Sequence, residues 1–129
     1  WIPKSECDFW FVYFGTVDTS GHKYGWMEEG YINQIKYVDN LIGDVLSVID
    51  DETTVIIHSD HGGHDRTHGT DSPEDMNIPY MITGPNIKKN HELQSEVTLL
   101  DTTPTIAHIL GISPNLEWEG NIISEAFES

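Results

Sequence analysis

The stretch "HSDHGGHDRTHGT" at residues 58–70 gathers four of the chain's seven histidines, together with Asp60, Asp65 and three glycines. Imidazole and carboxylate are the donors that zinc and similar divalent ions take, so a cluster this dense points to metal chemistry rather than to scattered structural histidines. Asp18 and His22, in "TVDTSGHKYG", offer the same donor pair earlier in the chain. Two such pairs, Asp18 with His22 and Asp60 with His61, suggest two neighbouring ions. His68 lies near enough in sequence for its loop to fold back as a third ligand. Gly21, Gly62 and Gly63 are expected to let the backbone turn tightly, so that ligands face inward. His64 is open to several roles: touching substrate, supporting a ligand, or none. His58 reads as a hydrogen-bonded core histidine, and His91 and His108 as structural.

Positioning these side chains requires strands and helices, and the apolar patterns supply candidates. "DFWFVYFG" (8–15) is a continuous apolar run closed by glycine, the pattern of a strand buried on both faces. Residues 28–50 place Ile32, Ile35, Val38, Ile42, Val45 and Ile49 three to four apart, predicting an amphipathic helix. "TTVIIHSD" (53–60) is a second β-branched strand, so the order strand, helix, strand predicts a parallel unit with a right-handed crossover. "IPYMITGP" (78–85) reads as a third strand, "NIKKNHEL" as a turn, and "SEVTLL" as an extended segment. "DTTPTIAHILGI" predicts a short helix with Asp101 or Thr102 near its cap, Pro104 in its first turn and Gly111 at its end. Residues from 113 onward carry turn signals and little period. The fold class expected is α/β, a mostly parallel sheet with flanking helices. In such sheets ligands bind beyond the carboxyl ends of the strands, so both Asp–His pairs should emerge on one edge.

The bulk numbers bound the remaining possibilities. A chain of 129 residues suits a single domain, 1–129, with one core, and a hydrophobic fraction of 37% argues against disorder. With 22 acidic residues against 6 basic ones the formal net charge is −16, which excludes an obvious nucleic-acid or anionic-membrane surface and favours cationic partners. The lone Cys7 excludes a disulfide framework and is expected to pack as a small hydrophobe. No apolar run is long enough to predict a membrane span. The start at Trp1, close to a strongly apolar strand, reads as entry partway through a fold, and a truncated sheet predicts an exposed edge open to self-association.

These motifs together resemble the alkaline phosphatase superfamily, most closely its type I phosphodiesterase and nucleotide pyrophosphatase branch. "DTSGHKYG" is similar to that branch's Asp-x-x-x-His segment, "SDHGG" to its strand-end Asp-His-Gly, and "HGTD" to its later His-Gly segment. "EDMNIPYMITGPNIK" and "LLDTTPTIAHILGI" resemble its closing strand and Asp-x-x-Pro-Thr helix, in the expected order. The resemblance implies an alkaline phosphatase-like fold, incomplete at its N-terminus, with two divalent ions, Zn2+ first among them. It implies that Asp18, His22 and His68 hold one ion and that Asp60 and His61 belong to the second. It further implies a phosphoric-ester hydrolase acting on a small-molecule phosphate ester through a Thr or Ser nucleophile upstream of residue 1, so that this chain alone is expected to be inactive. A sulfatase-type hydrolase, a phosphotransferase and a non-catalytic metal-binding module are the alternatives. Members of this branch are often extracytoplasmic, and the sequence leaves the compartment open.

Overall fold

The computed structural model describes residues 7–128. It has the α/β composition expected: helices α1 (Thr16–Tyr24), α2 (Glu29–Leu46), α3 (Pro73–Met76) and α4 (Thr102–Ile109), and a two-stranded sheet pairing β1 (Val55–His58) with β2 (Tyr80–Thr83). The described residues gather into two compact units. One comprises the chain up to Asp50 together with His58–Pro79; the other comprises Asp51–Ile57 and the chain from Tyr80 onward.

In the first unit α1 packs against α2, and the join between them is short and fixed. Gly25 ends α1 at φ 102°, a left-handed conformation glycine adopts without penalty, and its N–H donates to the Gly21 carbonyl at 2.8 Å. Gln34 of α2 reaches back to the Thr16 hydroxyl at 2.9 Å. The apolar stripe predicted on α2 is present, but only Val38 is fully buried; Ile35 is exposed. The loop after β1 is stapled to α3 by backbone bonds, Gly62 N–H to the Asp75 carbonyl at 2.7 Å and Gly63 N–H to the Glu74 carbonyl at 2.8 Å.

In the second unit the core is small: Ile87, Ala107, Ile123 and Ala126 with the fully buried Pro104 and Thr105. The Asp-x-x-Pro-Thr segment organises it. Asp101 closes a 3-10 turn (Leu99–Asp101) by accepting from the Thr98 N–H and hydroxyl, and its other oxygen accepts from Asn121 N–H at 2.6 Å. Burial opposes ionisation of Asp101, yet the bonds from Asn121 and Thr98 outweigh it and hold the carboxyl below its usual range. Thr105 accepts from Ile123 N–H at 3.0 Å, so the 3-10 turn and helix α4 each pin the irregular C-terminal strip at one point.

Several expectations are corrected. Residues 8–15 form no strand: Phe9, Val12 and Tyr13 are exposed and Phe11 is 78% exposed. An apolar run becomes a strand only where neighbours supply ladder bonds and cover its faces, and among the described residues nothing pairs with it. The parallel strand–helix–strand unit predicted from it is accordingly not formed. Asp18 and His22 lie on a helix, α1, rather than on a turn. Gly21, Gly62 and Gly63 have no positive φ; their lack of a side chain serves close packing instead. Cys7 is exposed, and the end of "SEVTLL" enters the 3-10 turn.

Candidate metal centre

Helix α1 places Asp18 and His22 four residues apart, one turn above the other on a single face. The loop that follows β1 brings up the rest. At residues 64–67 it folds into a tight turn, with His64 N–H to the Thr67 carbonyl at 3.0 Å and the reciprocal bond at 2.9 Å. The carbonyls at the tip dock on the end of α1 and the residue after it. Trp26 N–H donates to Asp65 O at 2.7 Å, and His22 Nδ1 bonds Arg66 O at 2.9 Å. This docking returns His68 to α1.

Three imidazoles now surround one carboxylate oxygen. From Asp18 Oδ1, His22 Nε2 is 3.4 Å away, His68 Nε2 3.4 Å and His61 Nε2 3.8 Å. Ligand atoms of Asp18, His22 and His68 all fall within 4.8 Å of one another. Asp18 Oδ1 is buried and has no hydrogen-bond partner. A carbonyl oxygen can only accept, so Arg66 O fixes the proton of His22 on Nδ1, and Gly62 O, 2.7 Å from His61 Nδ1, does the same for His61. With that proton on Nδ1, a neutral ring would turn its Nε2 lone pair toward the Asp18 carboxylate oxygen, and two acceptors cannot bond each other. A cation resolves that conflict. Tetrahedral zinc, with bonds of about 2.0–2.1 Å, spaces its donor atoms about 3.3–3.4 Å apart, which matches the 3.4 Å separations found from Asp18 to His22 and to His68. The donor set thus fits a divalent metal.

Asp60 stands at the outer side of this group. Its side chain is mostly exposed, with Oδ1 3.9 Å from His61 Nε2. His61 consequently lies between Asp18 and Asp60, and its ring stacks on that of His68 with centroids 3.7 Å apart. All five residues singled out in the sequence are therefore brought to one place, with Asp60 and His61 at its edge. His64 points elsewhere: its Nδ1 lies 2.8 Å from Asp75 Oδ1, while Asp75 Oδ2 accepts from the Thr70 N–H and hydroxyl at 2.8 and 2.7 Å. The His64 bond first, then those from Thr70, outweigh burial and hold the Asp75 carboxyl far below its usual range; the same bond raises His64. That network braces the loop between two candidate ligands, His61 and His68. His58 is half-buried, its Nδ1 2.9 Å from Ser59 O; His91 pairs with Glu125, and His108 meets Phe127 edge-on, consistent with structural roles for these three.

Sequence reasoning passed over Trp26, Tyr31 and Asp75. Trp26 is nearly buried against His22, His68 and Tyr31. Burial first, and the Asp18 charge second, raise the Tyr31 hydroxyl above its ordinary value. The signal available was slight: a tryptophan four residues after His22 and a tyrosine near the start of the predicted helix.

Comparison with known proteins identifies the family. The sequence profile described as "Metalloenzyme superfamily" matches residues 2–114. The phosphopentomutase of Acetivibrio thermocellus is 36% identical over 90 residues, covering 70% of this chain and 23% of that protein. The phosphopentomutase of Pectobacterium carotovorum is 33% identical over 85 residues, 66% of this chain and 20% of its own length. GPI ethanolamine phosphate transferase 1 of Yarrowia lipolytica is 27% identical over 110 residues, 73% of this chain and 12% of its own. The chain thus spans less than a quarter of the length of these relatives. No solved structure gives a significant match. The resemblance to an alkaline phosphatase-like group holds at the level of the superfamily, and the relatives named above are phosphopentomutases and a phosphate transferase. Since the matched region takes in Asp18, His22, Asp60, His61 and His68 alike, the chain belongs to the Metalloenzyme superfamily.

Proposed function

We propose that this chain forms the metal-binding part of a phosphoryl-transfer site, with Asp18, His22 and His68 holding one divalent ion and Asp60 and His61 contributing to a second. The observation that carries the reading is Asp18 Oδ1, buried without a hydrogen bond and ringed by three imidazole nitrogens at 3.4–3.8 Å. Imidazole-rich donors favour zinc or a similar transition metal over calcium, which prefers oxygen ligands; this weighs against a sulfatase-type centre. Two bound ions would supply Lewis-acid charge for a phosphate ester and lower the pKa of an attacking hydroxyl. That positive charge also reconciles an anionic substrate with a chain of net charge −16.

The chain's own residues orient and hold. The Arg66 and Gly62 carbonyls keep His22 and His61 in the tautomer that presents Nε2, and Asp75 fixes the loop carrying His61 and His68. The nucleophile is read as a Thr or Ser outside residues 1–129. Within the chain the candidate hydroxyls are Thr19, Thr67 and Thr70, which donate to the Gly15 carbonyl, the His68 carbonyl and Asp75 respectively. The names of the relatives favour moving a phosphate between acceptors, as in a phosphopentomutase or an ethanolamine phosphate transferase. Hydrolysis of a phosphodiester or pyrophosphate is the second reading, supported by the likeness of "DTSGHKYG" and "SDHGG" to that branch. The exposed aromatic segment 9–13 supports self-association, which light scattering would reject by finding monomer alone.

The test is to add zinc or manganese to the purified chain and to assay p-nitrophenyl phosphate, bis-p-nitrophenyl phosphate and a pentose phosphate. Metal binding without turnover above a buffer-plus-metal background is expected. Turnover abolished by a chelator would place a nucleophile within the chain and overturn this division of labour.

A further inference from the structure

We infer that Trp26 is the positioning residue of the metal centre: its indole sets the separation of His22 and His68 without touching the ion. The inference rests on the metal-binding reading above. Trp26 lies outside the Asp and His motifs, yet it contacts both ligands that share Asp18. Its ring meets His22 edge-on, with centroids 5.1 Å apart at 90°, and meets His68 at 5.7 Å and 68°. Such edge contacts orient rings as well as packing them, because the edge of one aromatic ring and the face of the other carry opposite partial charge.

The indole itself has little freedom. It is 9% exposed, and its backbone N–H is bound to Asp65 O at 2.7 Å. Two glycines press on it from different segments. A Cβ on Gly21 of α1 would stand 2.6 Å from the indole, and a Cβ on Gly63 of the loop would overlap it outright. These glycines, expected to serve turns, instead clear the volume that Trp26 fills. A ring seated between the helix carrying Asp18 and His22 and the loop carrying His61 and His68 transmits any displacement to the ligands, since a close-packed interior has no slack to absorb it.

The experiment is zinc titration of the purified chain and of Gly21→Ala, Trp26→Phe, Trp26→Ala and the Gly21→Ala/Trp26→Ala pair, with cobalt absorption spectra of each. Gly21→Ala touches no ligand but presses a Cβ on the indole, so a merely structural role for Trp26 predicts a lower melting temperature with the zinc affinity and cobalt spectrum of the folded protein unchanged. Positioning by Trp26 predicts instead roughly 10- to 100-fold weaker zinc binding in Gly21→Ala and Trp26→Ala, the cost typical of losing a ligand's support. A changed cobalt spectrum should accompany it, and Trp26→Phe should lose less. Once the indole is gone, adding Gly21→Ala should cost nothing more. Circular dichroism monitors folding, and should Trp26→Ala fail to fold, Gly21→Ala and Trp26→Phe carry the test. Zinc affinity and cobalt spectra unchanged in Gly21→Ala and Trp26→Phe would overturn the inference while leaving the metal centre standing. Failure of the unaltered chain to bind zinc would overturn the metal-binding reading and the inference with it.

Discussion

Asp18 and Glu125 are both carboxylates beside histidines, and they stand in opposite conditions. Glu125 is saturated: Oε1 receives His91 Nε2 and Gln94 N–H, each at 2.9 Å, and Oε2 receives Ser95 N–H at 2.9 Å and the Ser95 hydroxyl at 2.6 Å. Asp18 Oδ1, by contrast, has three imidazoles near it and a hydrogen bond from none. Folding supplies donors to a carboxylate whose task is structural, because an unpaired buried oxygen is costly. A buried carboxylate oxygen left without a hydrogen bond among three imidazoles is the feature on which the proposed metal site rests.

Breaking the Asp18 side should have the largest effect. Asp18→Asn retains the shape but removes the charge shared by three histidines, and zinc affinity should fall by more than the roughly 10- to 100-fold typical of losing a supporting residue. Calorimetric titration checks this. Next, His68→Ala should weaken the same site, whereas His61→Ala should chiefly remove a second, weaker equivalent; equal losses would erase the distinction between the two subsites. Asp75→Asn should lower the melting temperature and weaken metal binding secondarily, since it breaks the bonds from His64 and Thr70 that brace the ligand loop.

On the Glu125 side the expected effect is on acid stability. The Ser95 hydroxyl first, then the Gln94 and Ser95 N–H groups and His91, lower its pKa from 4.5 to about 2. A depressed carboxylate pKa contributes stability that is complete above the ordinary value of 4.5 and lost as pH falls through about 2. Glu125→Gln should therefore flatten the loss of stability between those values, read by acid titration of the circular dichroism signal, while leaving zinc affinity alone. The smallest effect is expected for Arg66→Ala. His22 is held by the Arg66 backbone carbonyl, so deleting the side chain should alter binding by no more than about 0.5 kcal/mol, the usual range for surface changes.

The same contrast explains what the sequence disclosed. Long-period signals survived: the stripe on α2, the β-branched run of β1, and Pro104 and Gly111 around α4 each lie where local pattern and structure agree. The candidate metal ligands were legible because Asp–His pairs are chemically conspicuous at any position. What was missed depends on neighbours distant in sequence. Segment 8–15 has the composition of a buried strand, but burial and pairing come from other chain segments, and its residues stand exposed. Helix α1 was hidden by Gly21 and Ser20, weak helix formers whose burial is a tertiary matter. Asp75 and Glu125 look like ordinary surface acids until the segments that donate to them are in place.

The most direct test is a crystal of this chain soaked in zinc and measured at the zinc absorption edge. The account predicts an anomalous peak about 2.0–2.1 Å from Asp18 Oδ1, His22 Nε2 and His68 Nε2, the ordinary zinc bond length. A peak elsewhere, beside His91 and Glu125 for instance, or an Asp18 carboxylate with no ion beside it at saturating zinc, would contradict it.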